Sequence, residues 1–333
     1  MITRENDTTD EDKKQDGIKT KKTLKEKRVK ADYVGARLAK LGFKGQARRV
    51  RMCATMVDWV LCENGHRYPA NAHICTVRLC PVTAWRRSRM CFGQIIQVLH
   101  VADKQEPLRY LFLTLTIRNV EGDKLGDAIS EMYKGWNELH HKKRPWFKNV
   151  RGYIKNLEIT RNMDINDPWY GTYHPHIHVL LAVQPDYFKK GYISRKEWIS
   201  AWQICCNLAY DPQVKINAIY NKHDPQDRSA GSMLGAAAET AKYSVKDSEM
   251  TTGDIEWDDE TILTYIKALN KRRLLEFGGI FKQIHHELHL VDTETGDLDI
   301  KCDDVKGCKI CGSKLVMELE LWNFSLQDYI LLP

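Results

Sequence analysis

No stretch of this 333-residue chain stays apolar for the ~18–20 residues a membrane-spanning helix needs, and its N-terminus is too polar for a signal peptide. Those absences exclude a membrane partner from the expectations and make the cytoplasm the default location. No internal repeat is visible. Beyond residue 50 there is no excess of charge of either sign, since 36 Lys/Arg face 36 Asp/Glu there. A disulfide framework is also missing, because ten cysteines in a cytosolic chain read as metal ligands or reduced thiols.

What is present is otherwise ordinary for a globular protein: 43% hydrophobic and 29% charged residues, and a length suited to about two domains. The net charge of +7 sits in the first fifty residues, which hold 15 Lys/Arg against 8 Asp/Glu. Residues 1–30, with the run from Lys19 to Lys30, read as a disordered basic arm able to attract phosphates without sequence selectivity. A second basic cluster spans Lys142, Lys143, Arg144, Lys148, Arg151 and Lys155, interleaved with Trp146, Phe147 and Tyr153. Cations mixed with flat rings suit single-stranded nucleic acid, where rings stack on bases and charges follow the backbone.

Tyr173-His174-Pro175-His176-Ile177-His178 runs directly into Val179-Leu180-Leu181-Ala182-Val183. Strand side chains alternate faces, so His174, His176 and His178 are expected on one face, where three imidazoles can hold a divalent metal. A helix is expected from Gly231 to Lys246. Within it Glu239, Tyr243 and nearly Lys246 would line one side. A tyrosine there can act as a nucleophile if it has help, because a phenol ionises only near pH 10.

The remaining pattern is strand (111–117), helix (127–139), strand (152–160), the histidine strand, helix (195–208), strand (214–219) and the alanine-rich helix. That order predicts an α+β fold with a largely antiparallel central sheet and flanking helices. The domain expectations are a basic, cysteine-rich DNA-binding module over 31–104, a catalytic domain over 105–250, and a helical then acidic region over 251–333. Within the first module, Trp85-Arg86-Arg87 opens a helix whose arginines are candidates for DNA contact.

Three stretches together resemble the rolling-circle plasmid replication initiators of the HUH endonuclease superfamily, in the class that pairs one catalytic tyrosine with a glutamate. Phe112-Leu113-Thr114-Leu115-Thr116 matches the first motif, Tyr173 to Val179 the second, with His176-Ile177-His178 as its core, and Glu239 to Lys246 the third. The likeness runs from about Val50 to Asp247, including Leu79-Cys80-Pro81, and more loosely to Phe277-Gly278-Gly279. It implies an RRM-like sheet and a nickase that joins itself to origin DNA.

Carried over residue by residue, the resemblance implies that His176 and His178 bind Mg²⁺ or Mn²⁺. Glu158 on the neighbouring strand is the favoured third ligand, with His174 as the other candidate. Tyr243 would attack the origin phosphate, leaving a 5′-phosphotyrosyl link and a free 3′-OH. Glu239 would act as general base for termination by water, and Lys246 would steady the phosphate. Implied partners are plasmid origin DNA, double- and single-stranded, and a host helicase and polymerase; a dimer is compatible with the reading. Another HUH strand transferase, such as a mobilisation relaxase or transposase, and a non-catalytic zinc-dependent DNA-binding regulator are the competing readings.

The cysteines depart from the family pattern. The relatives' C-P-x-C element stands here as Cys80-Pro81-Val82-Thr83, without its second cysteine. Cys53, Cys75 and Cys80 could still form a structural Zn²⁺ site if Cys62, His66 or His73 supplied the fourth ligand. Cys302, Cys308 and Cys311 resemble half of a zinc knuckle without a clear fourth ligand.

Overall fold

A computed structural model describes residues 10–141, 144–220, 224, 227, 229, 231–301, 307, 308 and 311–332, with side chains from residue 20 onward. Helices α1 (Asp10–Lys40) and α2 (Lys44–Met52) precede strands β1 (Met56–Cys62) and β2 (Arg67–Ala72). Next come α3 (Pro81–Gln105), β3 (Arg109–Thr116), α4 (Leu125–Leu139), β4 (Val150–Arg161), β5 (Tyr173–Val183) and the short α5 (Tyr187–Lys190). They are followed by α6 (Arg195–Cys205), β6 (Val214–Ala218), α7 (Met233–Thr240), α8 (Ile255–Ala268), β7 (Leu275–Gly279) and α9 (Ile280–Glu287). Strands β8 (Ile300–Lys301), β9 (Leu315–Asn323) and β10 (Asp328–Leu331) complete the order. No helix among the described residues is long and apolar enough to cross a membrane.

Two compact units result, one from residues up to Arg86 together with those from Asp297 on, the other Arg87–Gly296. The region expected as a single C-terminal piece over 251–333 is therefore divided. Its α8, β7 and α9 belong to the larger unit, and its final strands complete the smaller one.

The smaller unit has a sheet in the order β10-β9-β1-β2-β8. Its longest ladder joins the chain's two ends, with Met56 opposite Leu321 and Cys62 opposite Leu315. Helix α1 replaces the expected disorder over residues 10–30. The reason is a stripe of Leu24, Ala31, Val34 and Leu38 at helical spacing, each fully buried. Arg28 lies buried in the same stripe. Its Nη1 donates to the carbonyls of Val50 and Cys53, at 2.9 Å each, and its guanidinium pairs with Asp32. A buried cation is tolerated because it is neutralised and because it donates to two carbonyls at the end of α2.

The larger unit is built on an antiparallel sheet in the order β6-β3-β5-β4-β7. On one face Phe112, Ile154, Leu180 and Ala182 pack with Ile95 and Val98 of α3, Ala237 of α7 and Phe281 of α9. On the other, Trp136, Trp198 and Trp202 of α4 and α6 are fully buried, and Trp202 Nε1 donates to the carbonyl of Thr116 at 2.8 Å. A sheet covered on both faces needs no alternation, so β5 is buried at every position from Ile177 to Val183. His174, His176 and His178 share the face that continues through Leu180 and Ala182 into the α3/α7/α9 core.

Candidate active site

Register places the polar groups together. In the ladder between β4 and β5, Glu158 is opposite His176 and Asn156 opposite His178. In the ladder between β3 and β5, Thr116 is opposite His176 and Thr114 opposite His178. Directly opposed residues share a sheet face, so these side chains converge where the apolar core gives way to polar residues. His178 Nε2 lies 2.9 Å and His176 Nε2 3.3 Å from the same oxygen, Oε2 of Glu158. Glu158, His176 and His178 form one group able to hold a metal ion. His174 is outside it, its Nδ1 engaged at 2.7 Å with Oδ1 of Asn119.

The second nitrogen of each converging ring is also occupied. His176 Nδ1 is 3.2 Å from the carbonyl of His174, and His178 Nδ1 is 3.2 Å from Thr114 Oγ1. A carbonyl can only accept, so Nδ1 of His176 donates to it and Nε2 is the nitrogen that faces Glu158. Burial opposes ionisation of Glu158, yet hydrogen bonds and charge from the two imidazoles prevail and hold its carboxyl well below the usual range. Burial also depresses the pKa of His178, and that of His174, where His176 adds to the effect. Two imidazole nitrogens meeting one oxygen of an ionised carboxylate gather three potential ligand atoms at one point, and a divalent cation fits that set. Thr114, for which no role was read from the sequence, is the orienting neighbour of His178; its signal was the paired register with that histidine.

The tyrosine segment differs from expectation. Helix α7 ends at Thr240, so Tyr243 does not share a helical face with Glu239. Instead Ser244 accepts a backbone hydrogen bond from Ile159 at 2.8 Å, and Val245 forms a parallel bridge with Ile159. Asn156 Nδ2 donates to the carbonyl of Lys242 at 3.0 Å. The β-branched Val245 thus draws the chain out of the helix and along β4, and Tyr243 is carried on a segment tied on either side of Glu158. Tyr243 is partly buried; burial and the Asp247 carboxylate push its phenol up to about 12, with Arg89 opposing. Glu239 pairs with Lys242 at 2.5 Å, and its charge acts on His178. Lys246 is exposed and precedes a short turn, Asp247–Glu249.

Six of the described cysteines fall into two groups, with Cys62 in the other group from that expected. Cys53, Cys75 and Cys80 come together as expected, but Cys62 does not join them. Their fourth corner is Thr83, whose Oγ1 is 3.1 Å from Cys75 Sγ and 3.7 Å from Cys53 Sγ and donates to the carbonyl of Cys75 at 2.5 Å. Three thiols and a threonine hydroxyl do not make a closed four-ligand zinc set. Hydrogen bonds from Cys53 and Cys80 hold the Cys75 thiol down at about 3, and burial pushes Cys80 up to about 12. Cys62 belongs with His66, Cys308 and Cys311, and Cys302 lies outside the described residues.

The cations expected at DNA are largely committed within the chain. Arg86 Nε donates to the carbonyl of Leu298 at 3.0 Å, and Arg87 Nε to that of Thr293 at 2.8 Å. Arg144 pairs with Glu138 at 2.8 Å on the surface, and Lys142 and Lys143 lie outside the described residues. Lys155 is buried against Glu276 at 3.1 Å. Phe147 and Tyr153 are buried rings packed on Trp136, with centroids 5.8 and 5.0 Å away. Two of the three aromatics of that stretch are core, so the stacking platform read from the sequence is not formed by Phe147 and Tyr153, while Trp146 is half-buried.

Known proteins supply the context for this geometry. The model of the replication protein family matches residues 66–330, which takes in the histidine strand, the tyrosine segment and the final strands. A Protein rep of Bacillus amyloliquefaciens is 37% identical over 316 residues, covering 92% of this chain and 88% of its own. A Protein rep of Lentilactobacillus hilgardii is 34% identical over 294 residues, covering 87% and 89%. A Replication protein of Staphylococcus aureus is 36% identical over 232 residues, covering 68% of this chain and 93% of its own. No solved structure matches the chain. The chain belongs to the replication protein family. Within that class it is a plasmid replication initiator.

Proposed function

We propose that this initiator is a metal-dependent nickase and strand transferase that starts rolling-circle replication at a plasmid origin. The observation that carries the reading is the convergence of His176 and His178 on one oxygen of Glu158, beside the segment that holds Tyr243. Mg²⁺ or Mn²⁺ would be held by those three side chains, and when bound it would polarise the scissile phosphate and stabilise charge on the leaving oxygen. His174, turned to Asn119, would stand outside that ligand set.

Tyr243 supplies the nucleophile. With its phenol pushed up to about 12, about one in 10⁵ is ionised at pH 7, a cost of about 7 kcal/mol. That deficit is why electrostatic help at the phosphate is required. The phenolic oxygen attacks phosphorus, the bond to the 3′ oxygen breaks, and the phenol's proton passes to solvent while the 3′ oxygen leaves as a hydroxyl. The strand is then joined through its 5′ phosphate to Tyr243, and the 3′-OH is free to prime synthesis. Lys246, exposed and three residues on, supplies positive charge along the strand. At the second cleavage Glu239 accepts a proton from the attacking water, which breaks the P–O3′ bond of the regenerated site and leaves a 3′-OH. That hydroxyl then attacks the phosphotyrosyl phosphorus, closing the strand and freeing the Tyr243 phenol after one round.

The test is incubation of supercoiled origin plasmid with the protein and Mn²⁺. Relaxed circles with protein joined at the new 5′ end are expected. Origin binding without a nick at any divalent ion concentration would instead favour a non-catalytic regulator.

A further inference from the structure

We propose that Cys62, His66, Cys308 and Cys311 hold a structural zinc ion that ties the turn between β1 and β2 to the segment leading into β9. The four ligand atoms all lie within 4.8 Å of one another. Cys62 Sγ is 3.7 Å from Cys311 Sγ and 3.2 Å from His66 Nδ1, and Cys308 Sγ is 3.6 Å from His66 Nδ1. A tetrahedral zinc bound by thiolate and imidazole requires about 3.8 Å between sulfurs and about 3.6 Å between sulfur and nitrogen. The Cys62–Cys311 and Cys308–His66 separations match edges of that tetrahedron, Cys62–His66 is about 0.4 Å short of one, and the remaining edges are within 4.8 Å. A disulfide needs sulfurs about 2 Å apart, which the Cys62–Cys311 pair does not have.

Backbone geometry supports the same reading. Cys62 ends β1 and His66 immediately precedes β2, while Cys308 and Cys311 stand just before Leu315, the ladder partner of Cys62. Each pair sits on a tight turn, the second one residue longer than the first. Gly65 donates its N–H to the carbonyl of Cys62 at 2.8 Å, and Gly312 donates to the carbonyl of Cys308 at 2.8 Å. Both glycines have left-handed backbone, φ 76° and 74°, which side-chain-bearing residues rarely adopt. Cys62 N–H returns to the carbonyl of His66 at 3.1 Å and Cys308 N–H to that of Ser313 at 2.8 Å. Two paired turns presenting ligands from adjacent strands are the arrangement zinc ribbons use. Cys62, His66 and Cys308 are buried, Cys311 is half-buried, and its Sγ also lies 3.3 Å from Ser313 Oγ.

On binding, Zn²⁺ displaces three thiol protons and meets a neutral imidazole, leaving a centre of net charge −1. The ion would join residues far apart in sequence and hold the final strands against β1.

The test is zinc content of the intact purified protein by plasma mass spectrometry, with cobalt substitution as a second measurement. Zinc is expected in the wild type, with one equivalent lost in Cys311→Ala and in Cys308→Ala, and kept in Cys311→His. Cobalt is expected to give the intense visible bands of a tetrahedral ion and a thiolate charge-transfer band that weakens in Cys311→His. Wild-type protein without zinc, or a Cys308→Ala/Cys311→Ala double variant that keeps the full wild-type content, would overturn the proposal. Should the alanine variants not fold, the wild-type content and the Cys311→His spectrum decide it, and a cobalt spectrum identical in both overturns the assignment of Cys311.

Discussion

At the scale of single residues, the account rests on a carboxylate shared by two imidazoles. Glu158→Gln keeps the shape of the side chain but removes its charge, so Mn²⁺ affinity measured by calorimetry is expected to fall by about 100-fold or more. Unchanged affinity would exclude Glu158 as a ligand and return attention to His174. On the proposed mechanism, Tyr243 would set the pH dependence of nicking. Its pKa is raised, so the attacking phenolate grows about tenfold per pH unit below about 12. Single-turnover nicking is therefore expected to accelerate steadily from pH 7 to pH 9. A rate flat across that range would show that ionisation of Tyr243 does not limit the step. Glu239→Ala is expected to nick normally but to accumulate long multimeric strands, and monomeric circles from that variant would remove its role in termination. The histidines were legible in the sequence because strand periodicity is two and fixes their face. Glu158 was legible because two strands joined by a short polar connection pair as a hairpin. The course of Tyr243 was not, because Glu239 and Tyr243 keep helical spacing while the bridge from Val245 to Ile159, a contact across the fold, ends the helix early.

At the scale of elements, α1 and α7 show how local composition misleads. The lysines of α1 read as a solvated tail, yet Leu24, Ala31, Val34 and Leu38 mark a buried stripe with Arg28 set into it. Leu38→Ala is expected to lower stability by about 3 kcal/mol, read as a shift of the urea midpoint, from lost burial and the cavity left behind. Lys22→Ala, on the exposed side, is expected to leave the midpoint where it was. Equal effects from both would mean that the stripe is not packed. The ends of β3, β4, β5 and α4 were legible to within a few residues, since each carries its own hydrophobic period. Strands β1 and β2 were hidden among cysteines, and the short β7 falls within the part of 251–333 expected to be helical until its pairing with β4 is known.

At the scale of the whole molecule, the pairing of the chain's two ends was the least legible feature. Nothing local connects Cys62 with Leu315, and ladders between distant segments are fixed by the fold as a whole. The same distance kept Cys62 and His66 from being matched with Cys308 and Cys311. A chain ending at Gly296 would leave β1 without its β9 partner, exposing a seven-residue edge that carries Val57, Trp59 and Val60. Such a chain is expected to elute as aggregate on gel filtration, and a soluble monomer would show that the final strands are dispensable to the smaller unit.

The central claim is that Tyr243 becomes joined to DNA next to the Glu158–His176–His178 group. The direct measurement is mass spectrometry of the tryptic peptide left on the 5′ end after nicking an origin oligonucleotide with Mn²⁺. A nucleotide adduct on Tyr243, absent from Tyr243→Phe and from His178→Ala, is the expected result. An adduct on another tyrosine, or nicking with no protein joined to the strand, would contradict it.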